Sequence, residues 1–406
     1  MTAGIDAPRL MARLAALGEA GRDGDGRLCR LAASDADRAG RDLLCQWLRA
    51  AGLRIEIDRI GNIHGLWRPE GASGDPVVMG SHIDTVIDAG IYDGSYGVLA
   101  ALAVIEAMQA AGARPARPLA VVAYTNEEGV RFAPDMLGSL VAAGGMTPEA
   151  ALAITGTDGA TLGAELARIG YAGTRAPGFL RPHAFVELHV EQGPVLEAAC
   201  LPIGAVERLQ GISWQQITLT GTANHAGTTP MTMRRDAGVA AARVVAFLDR
   251  MARTTPDTVA TVGTMRLAPN AINVIPSEAR FTVDLRHPDE AQLVAREAAL
   301  AGVLDGLREE GFSVVAERLA RFAPVRFDPG IVAAIERAAA ARGLGCRRMT
   351  SGAGHDAQMI ARVAPAAMIF VPSRDGISHN PAEFTEESAL IAGANVLLDV
   401  ARELSR

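Results

Sequence analysis

The sequence predicts an α/β fold, a main domain with a mostly parallel central sheet flanked by helices, into which a smaller α+β domain is inserted. Three observations predict it. Short apolar runs at 76–80 and 119–124 each stop abruptly at polar clusters, as buried strands do. A long Ala-rich stretch, Val98 to Ala111, lies between them and reads as a buried helix. Between Gly211 and Arg318 the texture changes to the order β-α-β-β-α-β, the signature of a ferredoxin-like unit.

From the N-terminus, Met1 to Leu17 places apolar and charged residues at helical spacing, without the continuous apolar core of a signal peptide. Residues 36–52 form an amphipathic helix closed by Gly52, and Leu53 to Trp67 alternates like two strands. Pro76 to Gly80 is a buried strand ending at Ser81-His82, and Leu119 to Tyr124 is another, ending at Thr125-Asn126-Glu127-Glu128. In the insert, strands are expected at Ile212–Gly221, Val259–Met265, Glu278–Leu285 and Phe312–Arg318. Its helices are expected at Asp236–Ala252 and Ala291–Glu310. From Arg326 helix and strand alternate again, and the apolar strand Ala366–Val371 delivers Pro372-Ser373. The main domain is therefore expected at 1–209 and 327–406. The insert spans 210–326, about 115 residues and an ordinary domain size.

A chain of 406 residues exceeds one ordinary core, and 49% hydrophobic with 21% charged residues is typical of globular proteins. The net charge of −7 disfavours nucleic acid and anionic membranes as partners, since both need a cationic surface. No run of about 18 apolar residues is present to span a bilayer, so a cytoplasmic protein is expected. The four cysteines are scattered without a CxxC pair, which argues against a disulfide framework or a thiolate zinc site.

Histidine is scarce, eight in all, and several sit where apolar runs end. His82-Ile83-Asp84 puts an imidazole and a carboxylate on the same side of a strand end, where Asp84 is expected to accept from His82 and fix its tautomer. Asp93 follows in a Tyr-Asp-Gly-Ser turn. Glu127-Glu128 offers two carboxylates, one to bind metal and one free to move a proton. Glu187, His189 and Glu191 alternate on one strand face, and His379 follows the last apolar strand. Singly these are ordinary surface or structural residues. Together they concentrate ionisable groups at buried strand ends, where charge is costly unless paired or metal-bound. Mixed His and carboxylate ligation suits zinc, manganese, cobalt or nickel better than calcium or magnesium.

The segments GSHIDTVIDAGIYDGSYGV, TNEEGVRF, ELHVEQGPVLE, GTANHAGTTPM, NAINVIPSEARFTVDLR, SGAGHDA and GISHNPAEF resemble the hydantoinase/carbamoylase branch of the aminoacylase-like dinuclear metallohydrolases. That branch holds N-carbamoyl-L-amino-acid hydrolases, bacterial β-ureidopropionases and allantoate amidohydrolases. The resemblance implies two divalent metal ions per subunit, zinc first and otherwise manganese, cobalt or nickel. His82, His189 and the bridging Asp93 would hold one, and Glu128 and His379 would complete the other. It implies Glu127 as general base and Gln192, His225, Asn273 and Arg286 as substrate-binding residues. It also implies a homodimer through the inserted domain, with His225 reaching the partner's site. His189 itself stands where related peptidases carry a carboxylate.

The reaction so implied is hydrolysis of a ureido (N-carbamoyl) group on a small carboxylate-bearing substrate, giving the amine, carbon dioxide and ammonia. An imidazole such as His225 would steady the oxyanion, and the Arg286 guanidinium fork matches a carboxylate. On residues alone Arg286 is as readily a partner for Asp284 on the same strand face, and His225 a turn residue beside Gly227 and Pro230. Allantoate or a ureidoglycolate-type purine catabolite, or N-carbamoyl-β-alanine, are the other substrate readings. An ordinary aminoacylase or dipeptidase is disfavoured by His189. His64, His183 and His287 read as structural or exposed, and His355 as the start of a helix near the site.

Overall fold

The computed structural model describes residues 4–406, so the first three residues of the expected N-terminal helical segment lie outside the described residues. The helix Ala7–Glu19 starts where Asp6 accepts from the Arg9 N–H, and it buries Leu10, Leu14 and Leu17 along one stripe. The helix Asp35–Ala50 is capped by Ser34 and buries Leu44 and Leu48.

Two compact units make up the chain, one running to Glu207 and resuming at Arg326–Arg406, the other Arg208–Val325. In chain order the first unit opens with strands β1 (Arg54–Ile57), β2 (Ile63–Trp67), β3 (Val77–His82), β4 (Leu119–Tyr124), β5 (Ala184–Val190) and β6 (Ile203–Leu209). The second unit contributes β7 (Gly211–Thr220), β8 (Val259–Thr261), β9 (Met265–Ala268), β10 (Glu278–His287) and β11 (Ser313–Phe322). Then come β12 (Val325–Arg326), β13 (Cys346–Ser351) and β14 (Ala366–Val371).

The large sheet runs β1-β2-β4-β3-β5-β14-β6-β12, with β13 on β6. Its centre is parallel: β4 with β3, β3 with β5, β5 with β14. The flanks turn antiparallel at β2 and β6. Strands β3, β4, β5 and β14 are buried throughout, which is why β3 up to Ser81, β4 and β14 read as apolar runs, while β5 carries the buried Glu187 and His189. Helix Ser95–Ala110 packs on β3 and β5 beneath the helices Ala7–Glu19 and Glu387–Leu404, so nearly all its residues are buried. Gly97 permits this contact, since a Cβ there would run into the Leu188 carbonyl. Because the four central strands are parallel, the residues that follow their carboxyl ends meet along one edge.

The second unit lays helices Ala237–Thr254 and Glu290–Glu309 on one face of the sheet β11-β7-β10-β8. Ile217, Leu219, Phe281, Val283 and Leu285 meet Val244, Leu248, Leu300 and Leu304 there. The single strand expected at Val259–Met265 is instead two, β8 and β9, both paired to β10. The break falls where the Thr282 hydroxyl accepts from the Thr264 N–H in place of a backbone carbonyl.

Candidate metal centre

A cavity of about 140 Å³ opens at that strand edge, walled by His82, Asp93, Glu127, Glu128, His189, Gln192, His355 and His379 among others. Strand β3 ends on His82, the chain leaving β4 reaches Glu127 and Glu128 within four residues, and β5 carries His189. Asp93 precedes Gly94, whose φ of +61° turns the chain into the Ser95–Ala110 helix. A Cβ on Gly94 would strike the His82 ring, so glycine is required for Asp93 and His82 to approach. A larger apolar cavity of about 540 Å³, between Leu196, Leu201, Leu344 and Ala389, is lined by no imidazole.

Asp93 is the hub. Its Oδ1 lies 3.1 Å from His189 Nε2 and 3.5 Å from His82 Nε2, and its Oδ2 lies 3.4 Å from His379 Nε2. His379 Nε2 is also 3.4 Å from Glu128 Oε2, and His82 Nε2 is 3.5 Å from Glu127 Oε2. Ligand atoms thus fall into two groups sharing Asp93: His82, Asp93, His189, and Asp93, Glu128, His379.

The tautomers test whether cations fit here. His82 Nδ1 lies 2.9 Å from the Asp84 carbonyl, and His189 Nδ1 lies 2.8 Å from the Val190 carbonyl. A carbonyl only accepts, so both Nδ1 atoms carry hydrogen and both Nε2 atoms of the neutral rings present a lone pair. The Gly94 N–H donating to His189 Nε2 at 3.1 Å marks that nitrogen as an acceptor independently. Two imidazole lone pairs therefore face a carboxylate oxygen, an arrangement that needs a positive centre between them. Glu128 Oε1 and Gln192 Oε1 are buried with no hydrogen-bond partner. The residues present fit metal binding.

Electrostatics say the same. Burial, and then repulsion from Asp93, pushes the Glu128 carboxyl up to about 7. Burial above all drives Glu127 well above the usual carboxylate range. Burial also opposes charge on His82, yet Glu127 and Asp93 beside it hold the imidazole well above its ordinary value. Without cations, protons must screen these carboxylates. Backbone strain adds to the picture, since Gln192 and His379 both adopt left-handed φ, +58° and +52°, at a cost of about 1 kcal/mol or more each.

Asp84 acts differently from the sequence expectation. Its carboxylate stands 3.9 Å from His82 Nδ1, beyond hydrogen-bond reach, because the backbone carbonyl of the same residue takes that hydrogen. The carboxylate instead accepts from the backbone N–H groups of Glu127 and Glu128, 3.2 Å each. Asp84 therefore orients the carboxylate pair by its side chain and His82 by its main chain.

Of the residues expected to touch substrate, Gln192 stands in the cavity, its Nε2 donating to Asp93 Oδ2 at 2.8 Å. His225, Asn273 and Arg286 belong to the second unit. His225 forms an antiparallel bridge with Val274, the residue after Asn273, the Asn273 carbonyl accepts from the Ala226 N–H at 2.9 Å, and His225 and Asn273 are both exposed. His225 Nδ1 accepts from the Gly227 and Thr228 N–H groups at 3.0 and 3.2 Å, which leaves its hydrogen on Nε2 as a donor. Arg286 grips Asp284, with contacts down to 2.8 Å, so the pairing open on sequence is formed. His355 precedes the short helix Asp356–Ile360, bonds Ser351 Oγ at 3.1 Å and stacks edge-on against His189, ring centres 4.6 Å apart.

Two residues went unassigned on sequence. Glu187 accepts from the Ser81 hydroxyl and the Ala357 N–H, tying β3, β5 and the His355 turn together. Glu383 accepts from the Tyr92 and Asp93 N–H groups at 3.0 and 3.2 Å. The sequence hints of the latter are an acid four residues past His379 and its place in the GISHNPAEF segment.

Comparison with known proteins gives a consistent set. A family model described as peptidase family M20/M25/M40 matches residues 78–403. The N-carbamoyl-L-amino-acid amidohydrolase of Rhizobium meliloti is 40% identical, covering 98% of this chain and 96% of that protein. The allantoate amidohydrolase of Bacillus subtilis (strain 168) is 36% identical over 87% of each. A crystal structure of an amidase of the hydantoinase/carbamoylase family from Burkholderia multivorans superposes with a TM-score of 0.96 at 44% identity, covering 100% of this chain and 99% of that one.

Proposed function

The chain belongs to the M20/M25/M40 peptidase family, and from that premise we propose that it is a two-metal amidohydrolase removing the ureido group of N-carbamoyl-L-amino acids. The observation that carries this reading is the pair of imidazole nitrogens, each without hydrogen in the neutral ring, facing Asp93 in a cavity that also holds Glu127 and Glu128. His82, Asp93 and His189 would hold one cation, and Asp93, Glu128 and His379 the other. Zinc is the first candidate, and manganese, cobalt or nickel suit the same donors.

When bound, such cations lower the pKa of a shared water and draw charge from the carbonyl oxygen. Glu127, held by Asp84 through its own N–H, takes the proton from the attacking water. Burial raises its basicity to suit that task. It then hands the proton to the leaving nitrogen, so the amine departs and the carbamate decomposes to carbon dioxide and ammonia. His225, with hydrogen on Nε2, would be a suitable donor to the oxyanion in the partner's site. Arg286 would receive the substrate carboxylate, and Gln192 and Asn273 its amide groups.

The allantoate amidohydrolase relative supports a second reading, since allantoate also carries a ureido group beside a carboxylate. Ammonia release from N-carbamoyl-L-methionine, N-carbamoyl-β-alanine and allantoate by the metal-loaded protein decides between them. Activity on allantoate alone would replace the first reading, and activity on none with metal bound would overturn both.

The second unit exposes Trp214, Met231, Met233, Ile272, Val315 and Leu319. So much apolar surface on one small unit supports pairing with a second copy. Light scattering giving a dimer mass is expected, and a monomer at micromolar concentration would refute it.

A further inference from the structure

Ser378 and Glu383 lie beside the cavity and have no part in the chemistry described above. Ser378 Oγ is 3.2 Å from Asp93 Oδ2 and 3.1 Å from Glu383 Oε2. Glu383, only 5% exposed, uses its other oxygen for the N–H groups of Tyr92 and Asp93. A hydroxyl has one hydrogen, so Ser378 donates either to Asp93 or to Glu383 and not to both. Gln192 Nε2 is the other donor on Asp93 Oδ2, from the cavity wall. Ser378 directly precedes His379 in the chain.

We propose that Glu383 is a positioning residue that draws the Ser378 hydroxyl hydrogen away from Asp93 Oδ2, sparing that oxygen a second donor besides Gln192 where a cation shared with Glu128 and His379 would bind. Resting on the two-cation reading above, this adds a selectivity between the two positions. Ser378 meets Asp93 at Oδ2 and not at the Oδ1 that faces His82 and His189, so the hydroxyl bears chiefly on the second position. A carboxylate at 383 accepts from Ser378. An amide there would keep its oxygen on the two backbone N–H groups and turn its NH₂ to Ser378, reversing the bond. The hydroxyl would then donate to Asp93 and compete with the cation.

Calorimetric titration of metal-stripped protein with Mn²⁺ tests this, with melting curves to check folding. The wild type is expected to bind two ions. Glu383→Gln is expected to keep the first and to weaken the second by about 10- to 100-fold, as loss of a group supporting a ligand commonly does. Ser378→Ala should bind both at least as tightly as the wild type. Ser378→Ala combined with Glu383→Gln should recover the second ion, because the competing donor is gone. A structural defect would weaken both positions and would not be rescued. Equal weakening at both positions, no weakening, or no recovery in the double variant overturns the proposal while leaving the two-cation reading standing. Should Glu383→Gln fail to fold, a weaker second position in Ser378→Ala overturns it alone. A wild type that binds no ion overturns the two-cation reading itself and this inference with it.

Discussion

His189 Nε2 stands 3.1 Å from Asp93 Oδ1 while its Nδ1 donates to the Val190 carbonyl, so a neutral ring has no hydrogen to place between them. A proton or a cation must occupy that gap. Ligands bind metal only when deprotonated, so loading the site expels protons. Titration of Zn²⁺ in two buffers of different ionisation enthalpy should show net proton release at pH 7, and apparent affinity should fall as pH falls. Affinity independent of pH between 6 and 8 would remove this account of the cluster.

Glu127 is proposed as the base and not as a metal ligand. It is absent from both three-residue groups built around Asp93, although it could join His82 and Glu128 in another, and it lines the same cavity. Glu127→Gln preserves shape and removes the proton acceptor. Metal content should stay at the wild-type level while kcat drops by about 10²- to 10⁴-fold, the span of general-base catalysis. Wild-type turnover in this variant would dismiss Glu127 as the base.

Asp84 yields a sharper expectation than its sequence position suggests. Its two carboxylate oxygens each take one N–H, from Glu127 and from Glu128. Asp84→Asn must aim an amide NH₂ at one of these donors, which displaces the Glu127-Glu128 turn. His82 keeps its bond to the residue 84 carbonyl, so its ring should stay in place. We expect kcat to fall about 10- to 100-fold. If metal affinity at the His82 position collapsed instead with kcat per bound metal unchanged, the side chain would be orienting His82 after all.

These relations mark where sequence reading reaches and where it stops. Buried strands β3, β4 and β14 were legible because a strand covered on both faces must be apolar, and the polar residues at their ends were legible by contrast. The antiparallel flanks and the β8–β9 break carry no comparable pattern, since Thr264 and Thr282 meet only after β10 has paired. Tautomers were out of reach. They depend on which carbonyl lies beside each Nδ1, and at Asp84 main chain and side chain exchanged the expected roles. Glu383 is 290 positions from Asp93, and no local periodicity announces a contact of that range.

The turn bearing Glu127 and Glu128 is anchored by Arg131, which donates to Asp158, Glu165 and the Ala32 carbonyl. Arg168, and then Arg131, holds the Glu165 carboxyl down to about 2. A depressed folded value means the stabilisation is complete above the unfolded value, about 4.3, and is lost as pH falls through about 2. Glu165→Gln should therefore unfold at lower urea than the wild type at pH 7, with the gap narrowing between pH 5 and pH 3. A gap of constant size would mean that the ion pairs are not its source.

Arg286 poses the last question, because it already has a partner. The Asp284 carboxylate holds its Nε and Nη2, with contacts of 3.0 and 2.8 Å, and both residues lie on the face of β10 away from the helices. Such a pair either neutralises a structural arginine or aims a guanidinium at a ligand. Charge conservation with loss of the planar fork tells these apart. If Arg286 receives the substrate carboxylate, Arg286→Lys should raise KM for N-carbamoyl amino acids by about 10- to 100-fold, from the roughly 1.5–3 kcal/mol of a charged hydrogen bond. Turnover at saturation should change much less, and hydrolysis of the corresponding N-carbamoyl amino-acid amide, which lacks the carboxylate, should be indifferent to the substitution. If the role is structural, the lysine variant lowers the melting temperature and affects both substrates alike.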